Sequence, residues 1–309
     1  MQHRDKLVLE FWDRKKGLSI KNRDYRNFLV EFFDLKLKND IKNIDLTTNS
    51  LIKKNQNISA VITAREYGIF AGFEEFRFLN KDLKLKFFKK DGDKIKNNDV
   101  IIEINGNSRK ILSRERTGLN LLQRMSGIAT LTCTLNKKLK NNAKIAATRK
   151  TLWGLLDKKA VKIGGGLTHR LNLNDGIIIK DNHLKILDYD IERILNDIKN
   201  KSKYIEIEVE NKKQALIAAN AIKKLIGENK SKKNSLFAIM LDKINPNEIK
   251  SIIKDLKNLD LYNYVLLEAS GNINHGNLLK YANCGVDIVS MGYLTNPGKS
   301  LNMSMEMAK

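Results

Sequence analysis

The chain has 309 residues, with 57 Lys and Arg against 35 Asp and Glu and a formal charge of +22, a length that accommodates one large or two modest domains around a sizeable core. The lysines are dispersed and aromatics make up only 7%, which argues against a dedicated nucleic-acid surface and for a field that draws in anionic small molecules. No apolar run approaches the roughly 20 residues that cross a bilayer, the amino terminus "MQHRDKLVLEFWDRKK" lacks a signal-type apolar stretch, and Cys133 and Cys284 stand apart with no metal-ligand spacing, so a cytoplasmic protein with reduced thiols is expected.

In chain order, "RDYRNFLVEFFDLKL" reads as an amphipathic helix, and "ISAVITAREYGIFAG", "LKLKFFKK" and "DVIIEINGNSRKIL" as short strands, with a turn at "DGDKI". This first third is an α+β region. From Ser113 onward, Leu119, Leu122, Met125, Ile128 and Leu131 recur at helical spacing, with Leu121 and Ala129 beside the stripe. Seven apolar runs follow, most of them separated by enough chain for a helix: "KIAATRK", "AVKIGGG", "GIIIKDNH", "YIEIEVEN", "FAIMLDK", "YVLLEASG" and "VDIVSMG". Such alternation predicts parallel βαβ units closing into a barrel or near-barrel. The segment "NKKQALIAANAIKKLIGENKSKKNS" reads as a helix followed by a solvated, Lys-rich surface insertion.

In folds of this kind the reactive groups gather at the carboxyl ends of the strands. Here those ends carry Arg149, Lys150, Lys180, Asp242, Ser270 and glycines. The stretch "TRKTLWGLLDKKAVKIGGGLTHR" concentrates cationic side chains beside bare backbone, which suits an anion. By alternation Glu206, Glu208 and Glu210 point to one face of their strand. The triple glycine lacks both the Walker ending and the dinucleotide spacing. His3 and His275 read as locally hydrogen-bonded, His183 as a supporting residue and Trp153 as a packing residue.

The ordered set "DLTT", "AREYGIFAG", "DGDKI", "RERTGLNLLQRMSGIATLT", "TRKT", "GGGLTHR", "IIIKDNH", "IEIEVEN", "IMLDK", "EASG" and "GVDIVSMGYLT" resembles the quinolinate phosphoribosyltransferase family over nearly the whole chain. The resemblance implies an amino-terminal α/β sandwich (residues 1–118, rejoined by a tail at 296–309) and an open, seven-stranded α/β barrel (119–295). It also implies the reaction: quinolinate and phosphoribosyl pyrophosphate give nicotinate mononucleotide, pyrophosphate and carbon dioxide, with Mg2+, as a step of NAD synthesis.

By the same resemblance, Arg149, His169 and Arg170 hold the substrate carboxylates, and Thr148, Lys150 and Lys180 complete the pocket. Arg116 is donated by a neighbouring subunit, so a homodimer or a trimer of dimers is implied. Glu208 and Asp242 coordinate Mg2+ or the ribose hydroxyls, while Ser270 and the backbone at Gly271 and Gly292 lie where the sugar phosphate is cradled. Planar guanidinium suits a ring dicarboxylate, and carboxylates suit a developing oxocarbenium charge. The sequence departs from the family pattern at Leu152 and Trp153, at Asn272 and at Asn296–Pro297. A related phosphoribosyltransferase acting on another acid is the competing enzymatic reading, and tight RNA binding the non-enzymatic one.

Overall fold

The computed structural model describes residues 3–140, 142–228 and 235–308. Its elements in chain order are α1 (His3–Trp12), α2 (Arg23–Ile41), α3 (Leu46–Leu51), β1 (Asn57–Ala64), β2 (Gly68–Ile69), α4 (Phe73–Leu79), β3 (Lys84–Phe87), β4 (Lys94–Ile95), β5 (Val100–Asn107) and α5 (Ser108–Lys138). There follow β6 (Lys144–Ala146), α6 (Leu155–Ile163), β7 (Ile177–Ile179), α7 (Asp181–Ile186), α8 (Ile191–Ile198), β8 (Tyr204–Val209) and α9 (Lys212–Glu228). The last are β9 (Leu236–Asp242), α10 (Pro246–Asn258), β10 (Leu266–Ser270), α11 (Leu278–Ala282), β11 (Ile288–Ser290) and β12 (Met303–Met307). They form two compact units: Met1–Arg14, Leu135–Thr151 and Gly166–Asn296 make one, and Lys15–Thr134, Leu152–Gly165 and Pro297–Lys309 the other.

The second unit is built on an antiparallel sheet ordered β12-β1-β5-β3. The tail strand β12 pairs with β1 from Ala60 opposite Met307 to Ala64 opposite Met303. Within this unit, the middle turns of α5 bury Leu119, Leu121, Leu122, Met125, Ile128 and Ala129. An added Cβ at Gly127 would lie 1.8 Å from the Lys299 carbonyl oxygen, so only glycine lets the tail approach there. The α6 segment belongs to the same unit. Asp157 receives a bidentate bond from buried Arg124 (2.8 and 2.7 Å) and two further bonds from the Leu152 and Trp153 amides. Four donors on one buried carboxylate fix the entry to α6, because leaving any of them unmet in the interior costs more than the bond itself contributes. Trp153 packs on Phe32 and lies under the Arg124 guanidinium, so the Leu152–Trp153 departure fills an aromatic contact.

The first unit holds a parallel sheet ordered β6-β11-β10-β9-β8-β7. Six of the seven expected strand runs are strands; the run "AVKIGGG" is not. Its first residues finish α6, where Leu156, Ala160 and Val161 are buried at helical spacing. Gly164 then stops the helix: an added Cβ would come within 2.4 Å of the Ala129 carbonyl oxygen. The seventh position of the barrel is taken by Leu167 alone, bridged in parallel to Ala146 through its amide to Ile145 O (2.8 Å) and its carbonyl to Ala147 N (2.9 Å). With β7 as the opposite edge, the result is an open α/β barrel.

Helix α1 packs into this unit's core. Val8, Phe11 and Trp12 cluster with Ala146, Leu167, Ala238, Leu266 and Ile288, each large apolar side chain contributing about 1.5–3 kcal/mol by burial. Arg4 anchors the helix with two 2.6 Å bonds to Asp287, which also accepts the Leu267 amide. At the other end of α1, the Trp12 carbonyl accepts the His169 amide (2.8 Å) and the Thr168 hydroxyl (3.2 Å).

Candidate active site

The strand ends of the parallel sheet bring together most of the residues expected to act. Thr148, Arg149 and Lys150 follow β6, Lys180 follows β7, Glu208 lies in β8, Asp242 and Ser270 end β9 and β10, and Gly292 follows β11. Ser270 is the register partner of Asp242. The Thr148 hydroxyl accepts the Lys150 amide (3.1 Å), and the Lys150 carbonyl accepts the Thr295 hydroxyl (2.7 Å). Gly292 closes on this turn: a Cβ there would meet Lys150 Cδ at 3.1 Å and Thr148 Oγ1 at 3.5 Å. Gly271, at φ +93°, packs against Asp242 and Lys243, and Asn272 continues the left-handed turn at φ 54°. Asparagine accepts that conformation more readily than most side chains, which accommodates the departure.

Opposite charges meet in this region. Lys180 Nζ lies 2.6 Å from Glu208 Oε2. Burial raises the Glu208 carboxyl above its ordinary value, Lys180 pulls it back, and Asp242 and Asp181 raise it further. The His183 ring nitrogen Nδ1 accepts the Lys180 amide at 2.9 Å, fixing the turn that carries the lysine. Burial and the nearby Arg149 charge both hold the Arg170 guanidinium below its ordinary value. Arg149 is exposed and makes no ion pair among the described residues. Arg170 Nη1 reaches across the open side of the barrel to the Gly176 carbonyl (2.9 Å), while its Nε is buried without a hydrogen-bond partner among the described residues.

His169 is buried at φ 55°. Its Nδ1 accepts the Arg170 amide (2.9 Å), and its Nε2 faces Glu268 Oε2 at 3.0 Å and Glu206 Oε2 at 3.4 Å. Burial opposes charge on the ring and the Glu268 and Glu206 carboxylates favour it; the carboxylates prevail, so the cluster as a whole holds an added proton more tightly than a free imidazole does. Burial and the Glu268 charge push Glu206 up to about 7. The three groups therefore bind a shared proton more tightly than they would apart. Because Nδ1 accepts the Arg170 N–H, the ring proton is on Nε2 facing Glu268, and the added proton is shared by the Glu206 and Glu268 carboxylates.

A small, half-open recess adjoins this cluster, lined among others by Trp12, Arg14, His169, Arg170, Tyr204 and Glu206. Arg14 stacks on Tyr204 at 3.8 Å and bonds Asp175 at 2.8 Å. Neither Arg14 nor Glu268 was singled out by sequence patterning. Glu206 and Glu208 do share a face of β8, whereas Glu210 lies beyond the strand and is exposed. Arg116 is exposed on α5, in the other unit.

Comparison with known proteins gives a consistent answer. Residues 45–126 match the family "Quinolinate phosphoribosyl transferase, N-terminal domain" and residues 128–306 its C-terminal domain. A probable nicotinate-nucleotide pyrophosphorylase (carboxylating) of Methanocaldococcus jannaschii is 37% identical over 300 residues, covering 92% of this chain and 99% of that protein. A Bacillus subtilis protein of the same description is 37% identical over 279 residues, covering 87% and 89%. The crystal structure of the Ehrlichia chaffeensis nicotinate-nucleotide pyrophosphorylase superposes with a TM-score of 0.74 at 32% identity, covering 90% of this chain and 98% of that one. With both domains matched in order, and with relatives aligned along nearly their whole length, the chain belongs to the quinolinate phosphoribosyltransferase family.

Proposed function

We propose that this chain transfers the phosphoribosyl group of phosphoribosyl pyrophosphate to the ring nitrogen of quinolinate, with loss of pyrophosphate and carbon dioxide, to give nicotinate mononucleotide for NAD synthesis. The observation that carries the reading, beside family membership, is the gathering of Arg149, Lys150, Arg170 and Lys180 after neighbouring strand positions of the parallel sheet, where burial and then the Arg149 charge hold Arg170 below its ordinary value. Two guanidiniums that follow β6 and the adjacent Leu167 position, one with a buried nitrogen that has no hydrogen-bond partner among the described residues, suit an anion with more than one carboxylate. His169 and Lys150 flank the same cluster, and Lys180, paired to Glu208, links the acid-binding side to the sugar side.

The ring nitrogen displaces pyrophosphate from the anomeric carbon. Positive charge at that carbon grows as the bond to pyrophosphate lengthens, and Glu208 and Asp242 stabilise it. The positive charge of the new pyridinium nitrogen then stabilises the electron pair left on the adjacent ring carbon as its carboxylate departs as carbon dioxide, and that carbon uses the pair to take a proton. Gly271 and Gly292 leave their backbone open to the sugar phosphate, and Ser270 adds a hydroxyl beside Asp242. Glu208 and Asp242, close enough for Asp242 to raise the Glu208 carboxyl, are a hard-oxygen pair that suits Mg2+. When bound, Mg2+ supplies charge neutralisation for the pyrophosphate leaving group. Arg116, exposed on its helix surface, serves a neighbouring subunit's site, which makes the working unit a homodimer or a larger assembly of dimers.

The test is a single incubation of protein, Mg2+, phosphoribosyl pyrophosphate and quinolinate, with the product identified by mass. Nicotinate mononucleotide and one equivalent of carbon dioxide are expected. A ribosylated product that retains both carboxylates, or no product, overturns the reading.

A further inference from the structure

Between the strand ends and α1 lies a buried chain of contacts that the transfer reaction does not itself use. Glu268 is fully buried in β10 with Oε2 3.0 Å from His169 Nε2, and His169 Nδ1 in turn accepts the Arg170 amide at 2.9 Å. An imidazole that accepts at Nδ1 must carry its proton on Nε2, and a carboxylate is the strongest acceptor for that proton. The backbone at His169 sits at φ 55°, a left-handed conformation that is strained for a non-glycine residue and persists only where the surroundings over-determine it. Here the Trp12 carbonyl holds the His169 amide and Glu268 holds its ring.

One nitrogen, two carboxylates and atoms within 4.8 Å of one another would also describe a metal centre. The tautomer argues otherwise. A ligating Nε2 needs its lone pair, which puts the ring proton on Nδ1, and metal-bound histidines donate from that second nitrogen. Nδ1 here faces an N–H donor, so metal ligation would set two donors against each other. The contacts suit a rigid prop and not an ion.

We infer that Glu268 is a positioning residue for the acid-binding cluster: by fixing His169 through its ring it fixes the Arg170 backbone, and with it the guanidinium that meets the substrate. The inference rests on the proposed quinolinate reaction. Glu268 touches no reacting atom, so its loss changes how well the acid is held and not how fast the bound acid reacts.

Simple electrostatics predicts the opposite sign. Removing a negative charge beside His169 and Arg170 should tighten binding of a dianion, and equally so for Glu268→Gln and Glu268→Ala. Positioning predicts that Glu268→Gln, whose amide oxygen still accepts from Nε2–H, keeps the quinolinate KM within about threefold of the parent protein. Glu268→Ala raises KM tenfold or more, and both variants keep kcat within about threefold.

A second measurement needs no variant of Glu268. In the parent protein labelled with 15N-histidine, at neutral pH and with the resonances assigned through His169→Asn, Nε2 of His169 carries a proton and Nδ1 does not. If the parent protein fails to convert quinolinate, the proposed function fails and the inference with it. If the parent is active, a KM that falls in both variants, a kcat lost in place of affinity, or a protonated Nδ1 overturns the inference alone. Where Glu268→Ala does not fold, the Nδ1 state and the Glu268→Gln kinetics decide.

Discussion

Lys180 Nζ and Glu208 Oε2 stand 2.6 Å apart at the ends of neighbouring strands, so one cation of the cluster is already neutralised by the protein while Arg149 is not. Removing the Glu208 charge therefore has two opposed effects. It frees Lys180 for the substrate's carboxylates and strips the sugar side of a stabilising charge. Glu208→Gln and Asp242→Asn are expected to reduce kcat by the equivalent of about 2.7–4 kcal/mol of barrier, with quinolinate affinity unchanged or higher in Glu208→Gln. Calorimetric titration with quinolinate alongside steady-state kinetics checks this; lost affinity with an intact kcat would reverse the assignment.

The Asp91 carboxyl is pushed up to about 6, by burial first and by the Glu75 charge, although its Oδ1 accepts both the Gly72 and Phe73 amides at the start of α4. Because the folded-state value lies above the ordinary 3.8, the folded protein holds this proton more tightly than the unfolded chain. Its contribution to stability is complete below about pH 4 and is lost as pH rises through about 6. Asp91→Asn keeps an oxygen for both amides and has no charge to bury. Thermal unfolding should show it more stable than the parent at pH 8, with the advantage shrinking toward pH 4; an advantage independent of pH would contradict the argument.

What the sequence made legible follows from period and from chain position. The α5 stripe from Leu119 to Ile128 is buried as its spacing demands, and Asp242, Ser270 and Lys180 fall at strand ends because the apolar runs before them are strands. The run "AVKIGGG" misled because a short apolar stretch bounded by glycines has no period of its own. Its helical state is set by Leu156 earlier in the chain and by the close approach of Gly164 to Ala129. Glu268 stayed hidden because its partner His169 is 99 positions away, and a lone Glu in an apolar run gives no sign of what it will meet. Likewise nothing near Arg170 announces that its side chain will bond Gly176 across the open side of the barrel.

Arg116 lies exposed on α5 and makes no ion pair among the described residues. If it completes a neighbour's site, Arg116→Ala and Lys150→Ala are each inactive alone, but mixing them regenerates activity through hybrid dimers with one intact site. With free exchange of equal amounts, half the dimers are hybrids and each carries one working site of two, so about a quarter of the parent activity is expected on these statistics. Exchange verified by mass-tagged subunits, with no activity regained, would rule out a shared site.

The proximity of Arg149 and Arg170 also sets the choice of acid. Arg149 is exposed, so the cost falls on Arg170, which burial together with the Arg149 charge already depresses, and an anion between the two guanidiniums offsets it. Quinolinate offers two carboxylates to Arg149, Arg170 and Lys150, whereas nicotinate offers one and leaves a desolvated cation unpaired. An uncompensated buried charge costs several kcal/mol, so quinolinate should be preferred by at least about a hundredfold in kcat/KM. Arg149→Ala should narrow that preference from the quinolinate side, losing quinolinate turnover at subsaturating substrate while nicotinate, poorly used from the outset, changes little. Parallel kinetics with the two acids, following nicotinate mononucleotide from both and carbon dioxide from quinolinate, measures the ratio. Equal use of the two acids by the parent protein would mean that a single carboxylate satisfies the cluster, and that Arg170, bonded to Gly176, serves to close the barrel and not to bind substrate.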